Sequence, residues 1–202
     1  MVSMEQGLHR FGYCVLNIDY PSRSASITRL ADAVIPPAIA KCRSNGATTI
    51  HFVTHSMGGI LVRDYLARHN VPDLGRVVMI GPPNQGSEVV DRLGRLWLFE
   101  AINGPAGREL GTQPSSTPNR LGPVNFPLGV IAGDRSINLI NSIFIRGRND
   151  GKVSVTKTKV DGLADHVIIA ATHPFIVRNR ATLHQTVHFL RTGAFDHSHS
   201  PN

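Results

Sequence analysis

Ser56 stands at a point in the sequence where a serine could act as a nucleophile. The apolar, β-branched residues 50–54 lead into it, and two glycines and a helical pattern follow it up to residue 69. This order predicts a strand, a sharp turn at the serine and a helix. Such a turn strains the backbone, projects Oγ above the sheet and needs small neighbours, because strand and helix pass close together. A serine that only caps the following helix is the alternative interpretation.

Three segments carry a resemblance to a known family. They are T-H-S-M-G-G around Ser56, G-P-P-N-Q-G-S from Gly81 and N-D-G-K-V-S-V from Asn149. In this order they resemble the bacterial lipase and esterase branch of the α/β-hydrolase family, over about residues 10 to 190. Thr54 departs from the family pattern, because it replaces the first glycine of G-x-S-x-G. The resemblance implies an α/β-hydrolase fold with a mostly parallel sheet flanked by helices, and a serine esterase or lipase that needs no metal or organic cofactor.

The resemblance also implies a Ser-His-Asp triad in the chain order serine, acid, histidine. Of the ten histidines, His166 and His173 flank the last predicted strand, and only His173 lies beyond its carboxyl end. The segment A-T-H-P-F around His173 resembles the histidine loop of small bacterial lipases. We therefore expect His173 to be the base and His166 to make a structural hydrogen bond. His184 and His188 lack the glutamate of H-E-x-x-H, which favours a helix face over a metal site.

Two aspartates compete for the acid of the triad. Asp134 directly follows a predicted strand, which is a common position for the acid. Asp150 stands in N-D-G-K-V, which resembles the segment that carries the acid in related lipases. We prefer Asp150 and keep Asp134 as the alternative.

The oxyanion of an acyl-transfer reaction needs at least two hydrogen-bond donors. The backbone N–H of Met57, directly after the nucleophile, is expected to be one of them. In the family the second donor comes from a loop that follows an earlier strand and is marked by His-Gly. No such strand or His-Gly precedes Met4 in this sequence. The resemblance therefore implies an N-terminally truncated α/β-hydrolase. A late start, a rearranged sheet and a strand supplied by a partner chain are all left open.

Four residues are expected to contact the substrate. His55 belongs to the turn itself, and Asn84 and Gln85 follow a predicted strand, at the end of the sheet where α/β folds bind ligands. Trp97 lies in the long segment 93–126, which is either an active-site lid or a loop that its aromatic residues attach to the core.

Hydrophobic periodicity and turn residues predict the secondary structure. Pro36 and Pro37 are expected to kink or break the second helix. The predicted domain is single and covers residues 1–195, with a flexible tail at 196–202. Residues 138–146 fit a helix or a strand equally. The predicted helices are 4–11, 26–43, 60–69 and 180–190, and the predicted strands are 13–20, 47–54, 76–80, 128–132, 153–155 and 167–171.

Composition narrows the function classes. A chain of 202 residues with 41% hydrophobic residues suits one soluble domain. No apolar run approaches the ~20 residues of a membrane span, and no signal-peptide pattern is present, so we expect a cytoplasmic protein. The basic residues behind the net charge of +7 are scattered, which argues against a nucleic-acid partner. Cys14 and Cys42 are expected to be buried free thiols.

Two hypotheses of different classes result. The first is a serine carboxylic-ester hydrolase that forms an acyl-enzyme on small-molecule esters with short or medium acyl chains. The second is a catalytically impaired hydrolase-fold module for binding or homodimerisation, without a complete oxyanion hole. A second N–H or O–H donor about 3 Å from the oxyanion position would favour the enzyme.

Overall fold

A parallel sheet forms the centre of the molecule. The computed structural model describes residues 1–93, 104–136, 145 and 147–198. Within them, four parallel strands lie in the spatial order β1-β2-β3-β4, which is also their order in the chain. The predicted parallel α/β sheet is confirmed. The strands are β1 Ile50–His55, β2 Leu74–Ile80, β3 Leu128–Gly133 and β4 Asp165–Ile169.

Helices cover both faces of the sheet. An apolar cluster joins α2 and α3 to one face, and a second cluster joins α1 and α6 to the other. In the described part of the chain, no helix combines the length and apolarity that crossing a membrane requires. The helices are α1 Val2–Arg10, α2 Ile27–Ser44, α3 Met57–Arg68, α4 Glu88–Leu93, α5 Thr117–Arg120 and α6 Arg180–Thr192, with 3₁₀ turns at Thr156–Thr158 and Ile176–Arg178.

The central strand β2 is buried on both faces. Val77 and Met79 belong to the cluster under α2 and α3, whereas Val78 and Ile80 belong to the cluster under α1 and α6. All four side chains are fully buried. A continuous apolar run is typical of a strand inside a parallel sheet, where helices cover both sides. Burial on both faces therefore fixes the position of the carboxyl end of β2.

The predicted strand over residues 13–20 does not form, and the segment is irregular. Among the described strands, β1 pairs only with β2, so this segment has no partner for a backbone ladder. Leu16 and Ile18 are consequently 39% and 38% exposed. Cys14 and Cys42 are free, as expected, but neither is fully buried: Cys14 is exposed and Cys42 is half-buried.

Helix α2 continues through Pro36 and Pro37, so of the expected kink or break the break is wrong. The N–H groups that proline lacks would have bonded the carbonyls of Asp32 and Ala33. Both of these residues are exposed, and water can satisfy their carbonyl groups. The opposite side of the helix holds it on the core through Ile27, Leu30, Ala31, Ile35 and Ile39.

The described part of the segment 93–126 packs onto the domain. Residues 104–108 are helical, and Ala106 and Leu110 join the cluster under α2 and α3. The carboxylate of Glu109 accepts hydrogen bonds from the N–H of Ile27, at 3.0 Å, and the hydroxyl of Thr117, at 2.7 Å. Residues 104–126 are therefore attached to the core, although the described contacts that attach them do not come from the aromatic residues around Trp97. Trp97 and the rest of the possible lid lie outside the described residues.

The two glycines of the turn differ in the space around them. A Cβ on Gly58 would meet Thr54 Cβ at 3.6 Å, which is an ordinary contact. A Cβ on Gly59 would lie 3.1 Å from Met79 Sδ and 3.3 Å from Pro82 Cβ. Close packing of helix and strand therefore demands a glycine at 59 rather than at 58, although G-x-S-x-G points to Gly58.

We predict opposite effects for alanine at these two positions. Gly59→Ala should destabilise the fold by about 1–2 kcal/mol, because Met79 is fully buried and has little room to move. Gly58→Ala should be neutral or stabilising by up to about 1 kcal/mol, because alanine favours the helix. Urea unfolding of both variants measures the difference. Equal destabilisation would contradict this account of the turn.

Candidate active site

Ser56 occupies a strained turn between β1 and α3. Its φ of 54° is the one positive value among the described non-glycine residues, and its ψ is −127°. The N–H of Ser56 donates to the carbonyl of Ile80 at 2.9 Å, and its own carbonyl accepts from Gly59 at 3.0 Å. Strained backbone that its surroundings hold in place is common at functional sites. The turn thus has the geometry that the sequence predicts.

His173 lies between Ser56 and Asp150. Its Nε2 is 2.9 Å from Ser56 Oγ, and its Nδ1 is 2.7 Å from Asp150 Oδ2. A carboxylate only accepts hydrogen bonds, so Nδ1 carries the hydrogen and Nε2 presents a lone pair to the serine hydroxyl. His173 is 7% exposed and Asp150 is 2% exposed. The structure therefore brings together the three side chains that the sequence predicts as a triad.

A tight turn holds the Asp150 carboxylate. Oδ1 accepts from the backbone N–H groups of Lys152, at 2.9 Å, and Val153, at 2.8 Å, which leaves Oδ2 for His173. The backbone of Asp150 also accepts from the N–H of His173 at 2.9 Å. The predicted strand 153–155 does not form, and a single antiparallel bridge between Asn149 and Ser154 closes the turn instead. The turn thus fixes both the acid and the residue that it orients.

Gly81 is a site residue that the sequence analysis did not single out. It follows β2 with a φ of +57°, and a Cβ there would lie 3.2 Å from Asp150 Oδ2 and 3.3 Å from His173 Nδ1. Any side chain at this position would press on the hydrogen bond between acid and histidine. The available signal was a glycine placed directly after a buried strand.

The alternative acid and the alternative base lie elsewhere. Asp134 pairs with the guanidinium of Arg148. His166 donates from Nε2 to the hydroxyl of Thr158 at 3.0 Å, because that hydroxyl already donates to a carbonyl. Burial lowers the pKa of His166 to about 4, and the positive charge of Lys159 adds to this shift. Neither Asp134 nor His166 bonds Ser56 or His173.

Asn84 and Gln85, which we expected to contact substrate, hold the backbone of their own loop. Asn84 is 1% exposed and donates to the carbonyl of Thr158 at 2.8 Å. Its side-chain and backbone oxygens both accept from the buried Arg63, at 3.1 and 2.9 Å. Gln85 donates to the carbonyl of Lys159 at 3.2 Å. Their amide groups thus join the segment 81–87 to the segment 157–159, and are not brought to the triad.

The N–H of Met57 begins α3 directly after Ser56, as an oxyanion donor must. A phenol that the sequence analysis did not single out lies near the same helix start. The hydroxyl of Tyr20 is 3.9 Å from the position of a Cβ on Gly58, and it makes no hydrogen bond within the described residues. Burial and the charge of Asp19 raise the pKa of Tyr20, so the phenol keeps its hydrogen.

Comparisons with known proteins bear on the fold. No protein-family model matches the sequence, and no curated protein matches it. Among solved structures, the mature lipase BlEst2 of Bacillus licheniformis superposes with a TM-score of 0.72 at 19% identity, over 93% of this chain and 83% of that chain. Its propeptide form gives 0.75 at 18% identity, over 98% of this chain and 48% of that chain. A metagenomic carboxyl esterase, MGS0156, gives 0.63 at 22% identity, over 86% and 58% of the two chains.

These likenesses define the class of fold. The chain has the α/β-hydrolase fold, and its resemblance to bacterial lipases and esterases is confirmed in the structure. It spans less than two thirds of two of these three proteins. At such identities the match establishes the fold, and the activity has to be argued from the site.

The buried His166 should make stability depend on pH. The unfolded chain takes up a proton near the ordinary pKa of 6.5, whereas the folded chain does so only near 4. Unfolding therefore binds a proton in this window, and stability should fall as the pH drops through it. His166→Gln keeps a donor toward Thr158 and should reduce this dependence in urea unfolding at pH about 7 and about 5, while the contribution of His55, whose pKa is also lowered to about 4, stays in place. The control is exposed His184→Gln, and an unchanged slope in His166→Gln would contradict the prediction.

Proposed function

We propose that this chain is a serine hydrolase of carboxylic esters. Ser56 is the nucleophile, His173 the base and then the acid, and Asp150 the residue that orients the histidine. The observation that carries the proposal is the buried, continuous hydrogen-bond chain through these three side chains, with links of 2.9 and 2.7 Å. A serine hydroxyl is a weak nucleophile until a neighbouring base takes its proton.

The reaction has two halves. Ser56 Oγ attacks the ester carbonyl carbon while its proton moves to His173 Nε2, and His173 then returns that proton to the departing alcohol oxygen. This leaves an acyl group on Ser56. Water, deprotonated by the same Nε2, attacks the acyl carbon. His173 then gives that proton to Ser56 Oγ as the bond between Oγ and the acyl carbon breaks, which releases the carboxylic acid and restores the serine. Asp150 stabilises the transient imidazolium through Nδ1–H, and its other oxygen is held by two backbone donors.

The substrate class follows from the chemistry and from the similar proteins. Tetrahedral intermediates of acyl transfer need an oxyanion donor, and we assign one to the N–H of Met57, in the first turn of α3, where helix N–H groups have no partner within the helix. The proteins with similar structures are described as a lipase and a carboxyl esterase. We therefore propose small-molecule esters with short or medium acyl chains as substrates, hydrolysed without a metal or an organic cofactor.

Three substitutions test the assignment with p-nitrophenyl butyrate. Ser56→Ala should lower kcat/KM by about 10⁴-fold or more, and Asp150→Asn by about 10²- to 10⁴-fold, because the amide no longer holds the right tautomer of His173. Asp134→Asn is the matched control, because its carboxylate pairs with Arg148. It should stay within about threefold of wild type. Activity that survives Ser56→Ala would refute the serine mechanism, and an equal loss in both aspartate variants would refute the assignment of the acid.

A second candidate function is a hydrolase-fold module for binding or homodimerisation that lacks a complete oxyanion hole. The outer edge of β1, which is unpaired among the described strands, and the exposed Leu16 and Ile18 favour it.

Under the enzyme hypothesis we assign the second oxyanion donor to the phenol of Tyr20. This group is protonated, has no hydrogen-bond partner in the described residues and approaches the first turn of α3.

The activity of the wild-type chain separates these two functions, and Tyr20→Phe tests the second oxyanion donor. The loss of one oxyanion donor costs about 10²-fold in kcat, and KM should change little because the oxyanion develops only in the transition state. Steady-state kinetics with p-nitrophenyl butyrate measure both constants. A wild-type chain that is folded but inactive would favour the binding module. An active chain whose kcat is unaffected by Tyr20→Phe would place the second donor elsewhere.

A further inference from the structure

His55, the last residue of β1, lies directly against the histidine of the triad. Its Nε2 is 3.0 Å from the backbone carbonyl oxygen of His173. The two imidazole rings are in contact, with centroids 4.8 Å apart and planes tilted by 39°. A carbonyl oxygen only accepts, so Nε2 of His55 carries the hydrogen and donates it. The residue before the nucleophile is therefore bonded to the main chain of the base.

This bond supplies a restraint that Asp150 does not. Asp150 holds His173 from one side, through Nδ1 and through the backbone N–H at 2.9 Å. Those two bonds join His173 to the turn of the acid, and neither reaches the strand that carries Ser56. The bond from His55 links His173 to β1 itself, one residue from the nucleophile. It therefore restrains the distance between Nε2 of His173 and Oγ of Ser56.

We propose that His55 is a positioning residue, whose N–H donated to the His173 carbonyl holds the base within hydrogen-bond reach of Ser56. This inference rests on the proposed function of the triad. It replaces the expectation that His55 contacts the substrate, because the donating nitrogen is directed at protein backbone. A displacement of about 1 Å in a reacting group can cost about 10²-fold in rate, so a single well-placed bond is sufficient for a large effect.

The charge of His55 matters as well as its geometry. The titratable groups that act on it are His173, Lys152 and Asp150. Burial, followed by the charge of His173, lowers the pKa of His55 to about 4. His55 therefore stays neutral while His173 becomes an imidazolium during the reaction, and no second cation forms beside it. A neutral donor at this position should be functional, and glutamine can place its Nε2 close to where histidine has its own.

A matched pair of substitutions tests the role of the N–H. His55→Met has the length of glutamine but no donor, and it should lower kcat by about 10- to 100-fold with KM within about twofold. His55→Gln should keep kcat within about threefold of wild type. The rate at which a fluorophosphonate labels Ser56 should follow kcat, because it reports activation of the same hydroxyl. If His55→Met does not fold, His55→Asn takes its place, because its shorter amide ends before the carbonyl and should also lose kcat.

Three outcomes would overturn the proposal. They are unchanged kcat in His55→Met, equal losses in folded His55→Met and His55→Gln, and a raised KM at unchanged kcat, which would indicate a substrate contact. A readout without turnover separates this inference from the function itself. The proton between His173 and Asp150 should give a downfield NMR resonance in wild type and His55→Gln that weakens or shifts in His55→Met. A wild-type chain without Ser56-dependent activity would refute the function, and an unaltered resonance in His55→Met would refute the positioning role.

Discussion

The hydrogen bond from Ser56 to His173 is the interaction on which the rest of the site depends. Its two ends come from opposite sides of the described four strands, because Ser56 follows β1 and His173 comes after β4. They meet only because parallel strands deliver their carboxyl ends to one side. β2 and β3 lie between β1 and β4, and their buried side chains hold the carboxyl ends of β1 and β4 at the same height. The packing of the sheet therefore decides whether a hydroxyl and an imidazole can share a proton.

Several local features are placed to make room for that bond. Ser56 adopts a positive φ that a non-glycine residue rarely accepts, and its N–H donates to the carbonyl of Ile80. Gly81 leaves space for the pair of Asp150 and His173, and Gly59 lets α3 approach β2. Each of these features costs local stability, either as strain or as chain entropy. The two apolar clusters on either side of the sheet offset those costs.

The region beside the outer edge of β1 departs most from what the family resemblance predicts. The segment 13–20 has the apolar, β-branched composition of a strand, yet a strand needs a neighbour to form its ladder. Its end brings the phenol of Tyr20 to the start of α3, where it has no hydrogen-bond partner among the residues that the structure describes. This region thus bears on both candidate functions. Tyr20 would donate to the oxyanion of the hydrolase, and the outer edge of β1 would pair with another chain in the binding module.

The sequence by itself determined the strand–turn–helix at Ser56 and the parallel sheet, and its family resemblance pointed to Asp150 and His173, which the structure brings to Ser56. These are local patterns, or consequences of the order in which strands end. Tertiary structure decided the rest. The strand at 13–20 did not form because none of the described strands pairs with it, and α2 tolerated its prolines because their side of the helix faces solvent. Asn84 and His55 bond backbone that is distant in sequence, and only the folded chain shows which carbonyl each donor meets.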